Sequence, residues 1–187
     1  SLYKLDKFMK KDLERAFGRR FKLGQIQEAI DRANSAQQEF QDEVYGKGER
    51  IIQALKDKGE KIFIGIGRGY TVLDDKANSK VHELFSTQGL HFVPVLFMQP
   101  PDYDLSDIAP NMYWYQGQNL IKHNLASAMD PSMYAVRETN FNCGTDSMLL
   151  YHEEDIMGKA GKPHLVLQTD GHNSNAQFGT RTMANYE

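Results

Sequence analysis

The sequence predicts an α/β fold: a mostly parallel four-stranded sheet with helices on both faces, preceded by an N-terminal helical segment. Three observations predict it. Lys61-Ile-Phe-Ile-Gly-Ile66 is a continuous apolar run of strand length, as expected of a strand covered on both faces. Beyond it, strand-like runs alternate with stretches of helical period, which is the pattern of a parallel sheet. Before it, residues 1–58 carry helical periodicity and no strand-like run.

The elements follow in order. After Gly24, the positions Ile26, Ile30, Ala33, Phe40 and Val44 mark one face of a long helix, with Gln37 on the same stripe. Such a stripe is expected to pack into a core. A shorter helix follows, with Ile51, Ile52 and Leu55 inward, and Gly59 ends it. The spacing predicts a helix over 73–88 with Val81, Leu84 and Phe85 on one side. Gly89 stops it before a second strand, His91-Phe-Val-Pro-Val-Leu-Phe97. A loop with Pro100, Pro101 and Pro110 leads to a helix over 114–126. Tyr134 and Val136 alternate in the third strand, as in a half-buried one. The helix after it carries Met148, Leu149, Leu150 and Ile156. Lys162-Pro-His-Leu-Val-Leu-Gln168 is the fourth strand, and a last helix begins at Asn173. The expected division is a helical segment over 1–58 packed on an α/β domain over 59–187.

The totals exclude several classes. Hydrophobic content of 40% and charged content of 25% are ordinary for a globular chain. A net charge of -3 leaves no footprint for nucleic acid or an anionic membrane. Lys and Arg are frequent over residues 4–20, but Asp6, Asp12 and Glu14 interrupt them, as on a solvated helical face. No apolar run approaches the roughly 20 residues that span a bilayer. One cysteine allows no intrachain disulfide, which suits a reducing cytoplasm. The chain lacks an initiator methionine and stops inside a helix-like run, so it reads as a fragment of a larger protein.

Ligands of parallel sheets gather at the carboxyl ends of strands, and the unusual residues fall in the loops there. Cys143 lies between the third strand and its helix, with Gly144 beside it. Thr145, Asp146 and Ser147 offer an N-cap and a first-turn acid. A helix dipole there favours a thiolate, which can attack, be oxidised or bind a metal. The same position also suits a small inert thiol. Gly65-Ile-Gly-Arg-Gly-Tyr70 is a poor dinucleotide fingerprint, because Tyr70 replaces the third glycine. It reads better as a glycine-rich turn that simply connects strand to helix. Arg68 within it suits a carboxylate or phosphate, or a structural ion pair. Asp170 and His172 form an acid/base or metal-binding pair, or simply precede a helix cap. His152-Glu-Glu-Asp155 lies on a helix and reads as a charged outer face. Trp114, with Tyr113 and Tyr115, stacks a ligand or forms an interface cluster.

Taken together, the motifs resemble the conserved-domain region of acyl-CoA dehydratase activase-related proteins, relatives of the 2-hydroxyacyl-CoA dehydratases and benzoyl-CoA reductases. The residues that carry the resemblance run in order along nearly the whole chain. They are Ala36-Gln-Gln-Glu-Phe40, Ile64-Gly-Ile-Gly-Arg-Gly-Tyr70 with Asp74 and Asn78, and Tyr113-Trp-Tyr-Gln-Gly-Gln118. Then come Asn140-Phe-Asn-Cys-Gly-Thr-Asp-Ser147, Leu167-Gln-Thr-Asp-Gly-His172 and Gly179-Thr-Arg181. Two motifs depart from the family: its Gly-Arg-Pro-Tyr is Gly-Arg-Gly-Tyr at 67–70, and its Asp-Glu-His is Asp-Gly-His at 170–172.

The resemblance implies a [4Fe-4S]-type iron–sulfur protein of the cytoplasm. Its cluster receives one electron from an ATP-hydrolysing activase domain and passes it to an acyl-CoA thioester for radical dehydration. Cys143 matches the Asn-Phe-x-Cys-Gly motif and inherits the expectation of a cluster ligand, with Gly144 shaping the site. Arg68, Tyr70, Asp170 and His172 are expected to border the crevice. One cysteine cannot hold a cubane, which takes about four ligands. The cluster therefore belongs to the full-length protein and not to this fragment alone, with the remaining domains as partners. Two rivals stand beside this expectation. One is a non-catalytic scaffold or docking module in which Cys143 is structural. The other is a thiol enzyme pairing Cys143 with His172.

Overall fold

The computed structural model describes residues 5–140, 143–169, 179–182 and 184. The chain divides into two compact units, Ser1–Val44 and Tyr45–Glu187.

In the first unit, helix α1 (Leu5–Phe17) ends at Gly18, whose positive φ of 63° suits a residue without a side chain. The connection to α2 is fixed locally. The Phe21 N–H donates to Glu14 Oε1 at 2.9 Å, and Arg19 lies 4.6 Å over the Phe21 ring. Helix α2 then runs unbroken over Leu23–Asp57. The shorter second helix predicted around residues 51–55 is therefore the last part of α2. Pairs spaced four apart, such as Gln27–Asp31 and Arg32–Glu28, support its polar sides. The predicted stripe is not uniformly core. Ile26 is buried, whereas Ala33 and Phe40 are exposed.

The second unit is built on four parallel strands in the order β2-β1-β3-β4. These are β1 (Ile62–Ile66), β2 (His91–Pro94), β3 (Met133–Thr139) and β4 (Leu165–Gln168). Strand period sorts the side chains onto two covered faces. Ile62, Ile64, Ile66, Met133 and Ala135 pack with Leu120 and Ile121 of α5 (Tyr115–Met129). Leu149, Ile156 and Met157 of α6 (Gly144–Lys159) join them. On the other face Phe63, Val136, Leu165 and Leu167 meet Val81 and Phe85 of α4 (Val81–Thr87). The Phe63 and Phe85 rings stand 5.1 Å apart there.

Several elements differ from the predicted ones for local reasons. Of the helix expected over 73–88, α4 forms only over Val81–Thr87. A short α3 (Gly69–Leu73) precedes it, and the two are separated by the turn at 74–80, where Asp74 Oδ1 accepts the N–H groups of Lys76 and Ala77. Strand β2 stops at Pro94, and Val95–Phe97 coils into a 3₁₀ turn. Strand β3 is buried along most of its length and not half-buried, because helices cover both of its faces. The predicted start of the final helix, Asn173, lies outside the described residues, and positions 179–182 are helical.

Two glycines in and just after β1 are demanded by close approach. A Cβ on Gly65 would stand 2.2 Å from the Phe92 ring. One on Gly67 would stand 2.7 Å from the Glu138 carbonyl oxygen. The glycine-rich turn is thus required by packing at the end of β1.

Candidate functional site

Strands β1 and β3 are neighbours, with Ile66 opposite Arg137, but the chain visits β2 on the far side of β1 before it reaches β3. The loops leaving β1 and β3 therefore part in opposite directions. Such a switch point opens a crevice at the carboxyl edge of a parallel sheet. Arg68 follows β1 and Cys143 follows β3, and the two side chains meet there.

Arg68 is the hub. Its Nη2 donates to the Cys143 Sγ and to the Thr145 hydroxyl, and its Nη1 donates to the Tyr70 hydroxyl at 3.1 Å. Its Nε donates to Asp146 Oδ1 at 3.2 Å. The guanidinium carbon lies 5.2 Å from the Trp114 ring centroid and 5.8 Å from that of Tyr70. Partial burial works against its charge. Asp146 foremost, then Tyr70 and Cys143, outweigh that and raise the guanidinium pKa above its ordinary value. Arg68 thus offers a fixed positive charge to any negative charge developing at the sulfur.

Cys143 is half-buried and occupies the N-cap position of α6 in extended backbone, without a capping side-chain bond. The predicted cap from Thr145 or Ser147 is not used. Their hydroxyls turn back instead: Thr145 Oγ1 stands 3.1 Å from the sulfur, and Ser147 Oγ donates to the Cys143 carbonyl at 3.2 Å. Gly144 opens the helix, and apart from its neighbours and its own helix no described atom lies within 4 Å of where a Cβ would stand. Asp146 is the expected first-turn acid, well placed for the helix dipole and fully buried.

Beneath the crevice lies a buried charged row that the sequence reading missed. Asp146 Oδ1 takes Arg68 on one side and Arg137 Nη2, at 3.1 Å, on the other, while Thr139 donates to Oδ2 at 3.1 Å. Arg137 Nη1 reaches Glu153 Oε1 at 3.2 Å, and His164 Nε2 stands 3.9 Å from Glu153 Oε2. Arg137 and Glu153 are 0% exposed. Their contacts have ion-pair distances without the alignment of hydrogen bonds. Burial pushes Glu153 up to about 7 against the pull of Arg137, and burial holds His164 down to about 4. The segment His152–Asp155 is therefore not wholly an outer face, since Glu153 turns inward.

Among the expected site residues, Arg68, Tyr70, Cys143 and Gly144 come together at this edge. Asp170 and His172 lie outside the described residues, and so does the Cys143–His172 pairing. The signal for Arg137 was legible: Arg137-Glu138 interrupts an apolar strand of a sheet read as buried. Trp114 stacks Arg68 from the start of α5 and so belongs to the site's own architecture.

Residues 2–97 match the family described as CoA enzyme activase uncharacterised domain (DUF2229). The chain belongs to that family. The match spans just over half of the chain. Within this CoA enzyme activase domain it takes in β1, β2, Arg68 and Tyr70, and it ends before Trp114 and Cys143. No curated protein matches the chain, and no solved structure does. No helix among the described residues is long and apolar enough to cross a membrane.

Proposed function

We propose that this chain is one domain of a larger CoA-activase-type iron–sulfur protein, and that Cys143 is one of its cluster ligands. The observation that supports this best is the meeting of Cys143 and Arg68 at the switch point between β1 and β3. A half-buried sulfur beside a glycine, backed by a guanidinium, suits a ligand whose negative charge must be balanced. It suits one ligand among several. A cubane takes about four, usually thiolates, and the described residues contain no group of three His, Cys, Asp or Glu side chains able to hold a metal. The other ligands would come from elsewhere in the polypeptide or from a partner.

A cluster held there would supply one-electron chemistry on a CoA thioester, with an ATP-hydrolysing activase domain as the electron donor. The residues of this chain have their own tasks in that reading. Cys143 offers the sulfur, Gly144 adds no side chain next to it, and Arg68 balances its charge. Tyr70 and Trp114 wall the guanidinium on its ring faces. A cytoplasmic setting, where a single thiol stays reduced, belongs to the same reading.

A second reading has one specific observation in its favour. The sulfur already contacts Arg68 and Thr145, which is how a purely structural thiol would be held. The chain would then be a scaffold or docking module of the larger protein.

The test is the full-length parent protein purified without oxygen, with visible absorption and bound iron recorded before and after Cys143→Ala. A brown protein whose iron falls on substitution supports the ligand reading. Iron that is absent, or unmoved by the substitution, assigns Cys143 to the scaffold.

A further inference from the structure

We propose that Asp146 and Arg137 are positioning residues for the thiol site, with Asp146 clamped between two guanidinium groups so that Arg68 is held on the Cys143 sulfur. The inference rests on the reading that Cys143 is the functional thiol, and it goes beyond that reading by assigning work to residues that never touch the sulfur.

The geometry argues it step by step. Arg68 stands on a short loop, and its side chain has competing partners in the Tyr70 hydroxyl and the rings of Tyr70 and Trp114. Two bonds orient its fork toward the sulfur, Nη2 to the Thr145 hydroxyl and Nε to Asp146 Oδ1. The second is the buried ion pair, and Nε and Nη2 lie in one rigid plane. Asp146 is itself buried, and the partly buried Arg68 is not its only cation. Arg137 supplies the second, on the same oxygen. Arg137 lies wholly inside the sheet unit, with Glu153 on its other side, and no other carboxylate is paired with it among the described residues. A guanidinium placed so deeply costs stability unless it is matched, and here it is matched by the acid that steers Arg68. Thr139 fixes the second oxygen of Asp146, so the carboxylate cannot turn.

The single cysteine makes this measurable in the 187-residue chain itself. The probes are iodoacetate and iodoacetamide, which alkylate the same sulfur but differ in charge. A guanidinium on the sulfur favours the anionic reagent, and the ratio of the two rates reports that charge. The urea-unfolded chain gives the ratio of an unassisted thiol. The folded chain is expected to exceed it about fivefold, the effect of one unit charge about 4 Å away in water. Arg68→Gln should bring the ratio down to the unfolded value. Asp146→Asn should do the same although Arg68 is still present, and Arg137→Met should lower the ratio partway. Arg137→Lys, which keeps a cation near Asp146, should restore much of it. Thermal melts identify variants that have not folded, and Asp146→Asn and Arg137→Lys carry the test if Arg137→Met has not.

A folded Asp146→Asn chain that keeps the wild-type ratio overturns the proposal. So does an Arg68→Gln chain whose ratio does not change. Iron is not measured in this experiment. A parent protein without iron would remove the cluster reading and leave the positioning result standing. A failure here would leave the iron result standing.

Discussion

At the scale of single residues, the most consequential is Arg137, a charged side chain with no exposure in the middle of a parallel sheet. Burying a guanidinium among apolar strands is costly, and among the described residues the carboxylates paired with it, Asp146 and Glu153, offset that cost. Removing one member of such a set leaves the others unmatched. Arg137→Met is therefore expected to destabilise the chain by about 3–5 kcal/mol, read from urea denaturation midpoints. Adding Glu153→Leu should recover a large part of that loss, since one stranded carboxylate is removed with it. A double variant no more stable than Arg137→Met alone would show that Glu153 is not the partner that matters. The sequence displayed this pair imperfectly. Arg137 could have been singled out as a charge within an apolar run, but Glu153 lies among four consecutive polar residues on a helix. Periodicity gave no sign of which of the four turned inward. Cys143, Arg68 and Tyr70 were legible because residue type and loop position both mark them. Their mutual contacts depended on strand order, which the sequence does not contain.

At the scale of elements, strand existence and type were readable from apolar runs, and element ends were decided by local chemistry. Pro94 cut β2 short because it cannot donate to the ladder, and the Asp74 turn separated α3 from α4. The unbroken length of α2 was missed because Gly46 and Gly48 stand in its interior, where glycine weakens a helix. The two glycines have different reasons to be there, and this yields a paired prediction. A Cβ on Gly46 would meet only the Arg50 Nη1 atom at 3.5 Å, an ordinary contact. Gly46→Ala should thus raise stability by up to about 1 kcal/mol through helix propensity alone. A Cβ on Gly48 would stand 1.8 Å from the Phe97 carbonyl oxygen, and backbone cannot step aside. Gly48→Ala should instead lower stability by about 1–3 kcal/mol, because the clash exceeds the propensity gain. Thermal melts of the two variants decide it: equal shifts of the same sign would mean that α2 does not lie against Phe97 as described.

At the scale of the whole molecule, four titrating groups among the described residues of the sheet unit act on stability in opposite directions. Burial pushes Glu138 up to about 8 and Glu153 up to about 7, from an ordinary 4.5, and Arg137 only partly counters this in each. Burial also holds His123 and His164 down to about 4, from an ordinary 6.5. An acid whose folded pKa is raised keeps its proton in the native state where the unfolded chain has lost it. Its contribution is fully present below about pH 4.5 and is lost as pH rises through the folded value. A histidine whose folded pKa is depressed does the reverse: its contribution is present above about pH 6.5 and is lost as pH falls toward about 4. Between about pH 4.5 and 6.5 the two pairs oppose each other, so these groups leave stability nearly flat. Above about pH 6.5 the histidines are neutral in both states and only the acids still act. Stability should then fall toward about pH 8, by up to about 1.4 kcal/mol per pH unit for each acid still titrating. Glu138 has no hydrogen-bond partner for either carboxyl oxygen among the described residues, so Glu138→Gln removes its titration without breaking a bond seen there. Urea midpoints of the wild type are expected to decline up to about pH 8, and those of Glu138→Gln to level off near pH 7, where Glu153 finishes. If the variant declines in parallel with the wild type through that last unit, Glu138 is already ionised inside the fold, and a cation must lie against it.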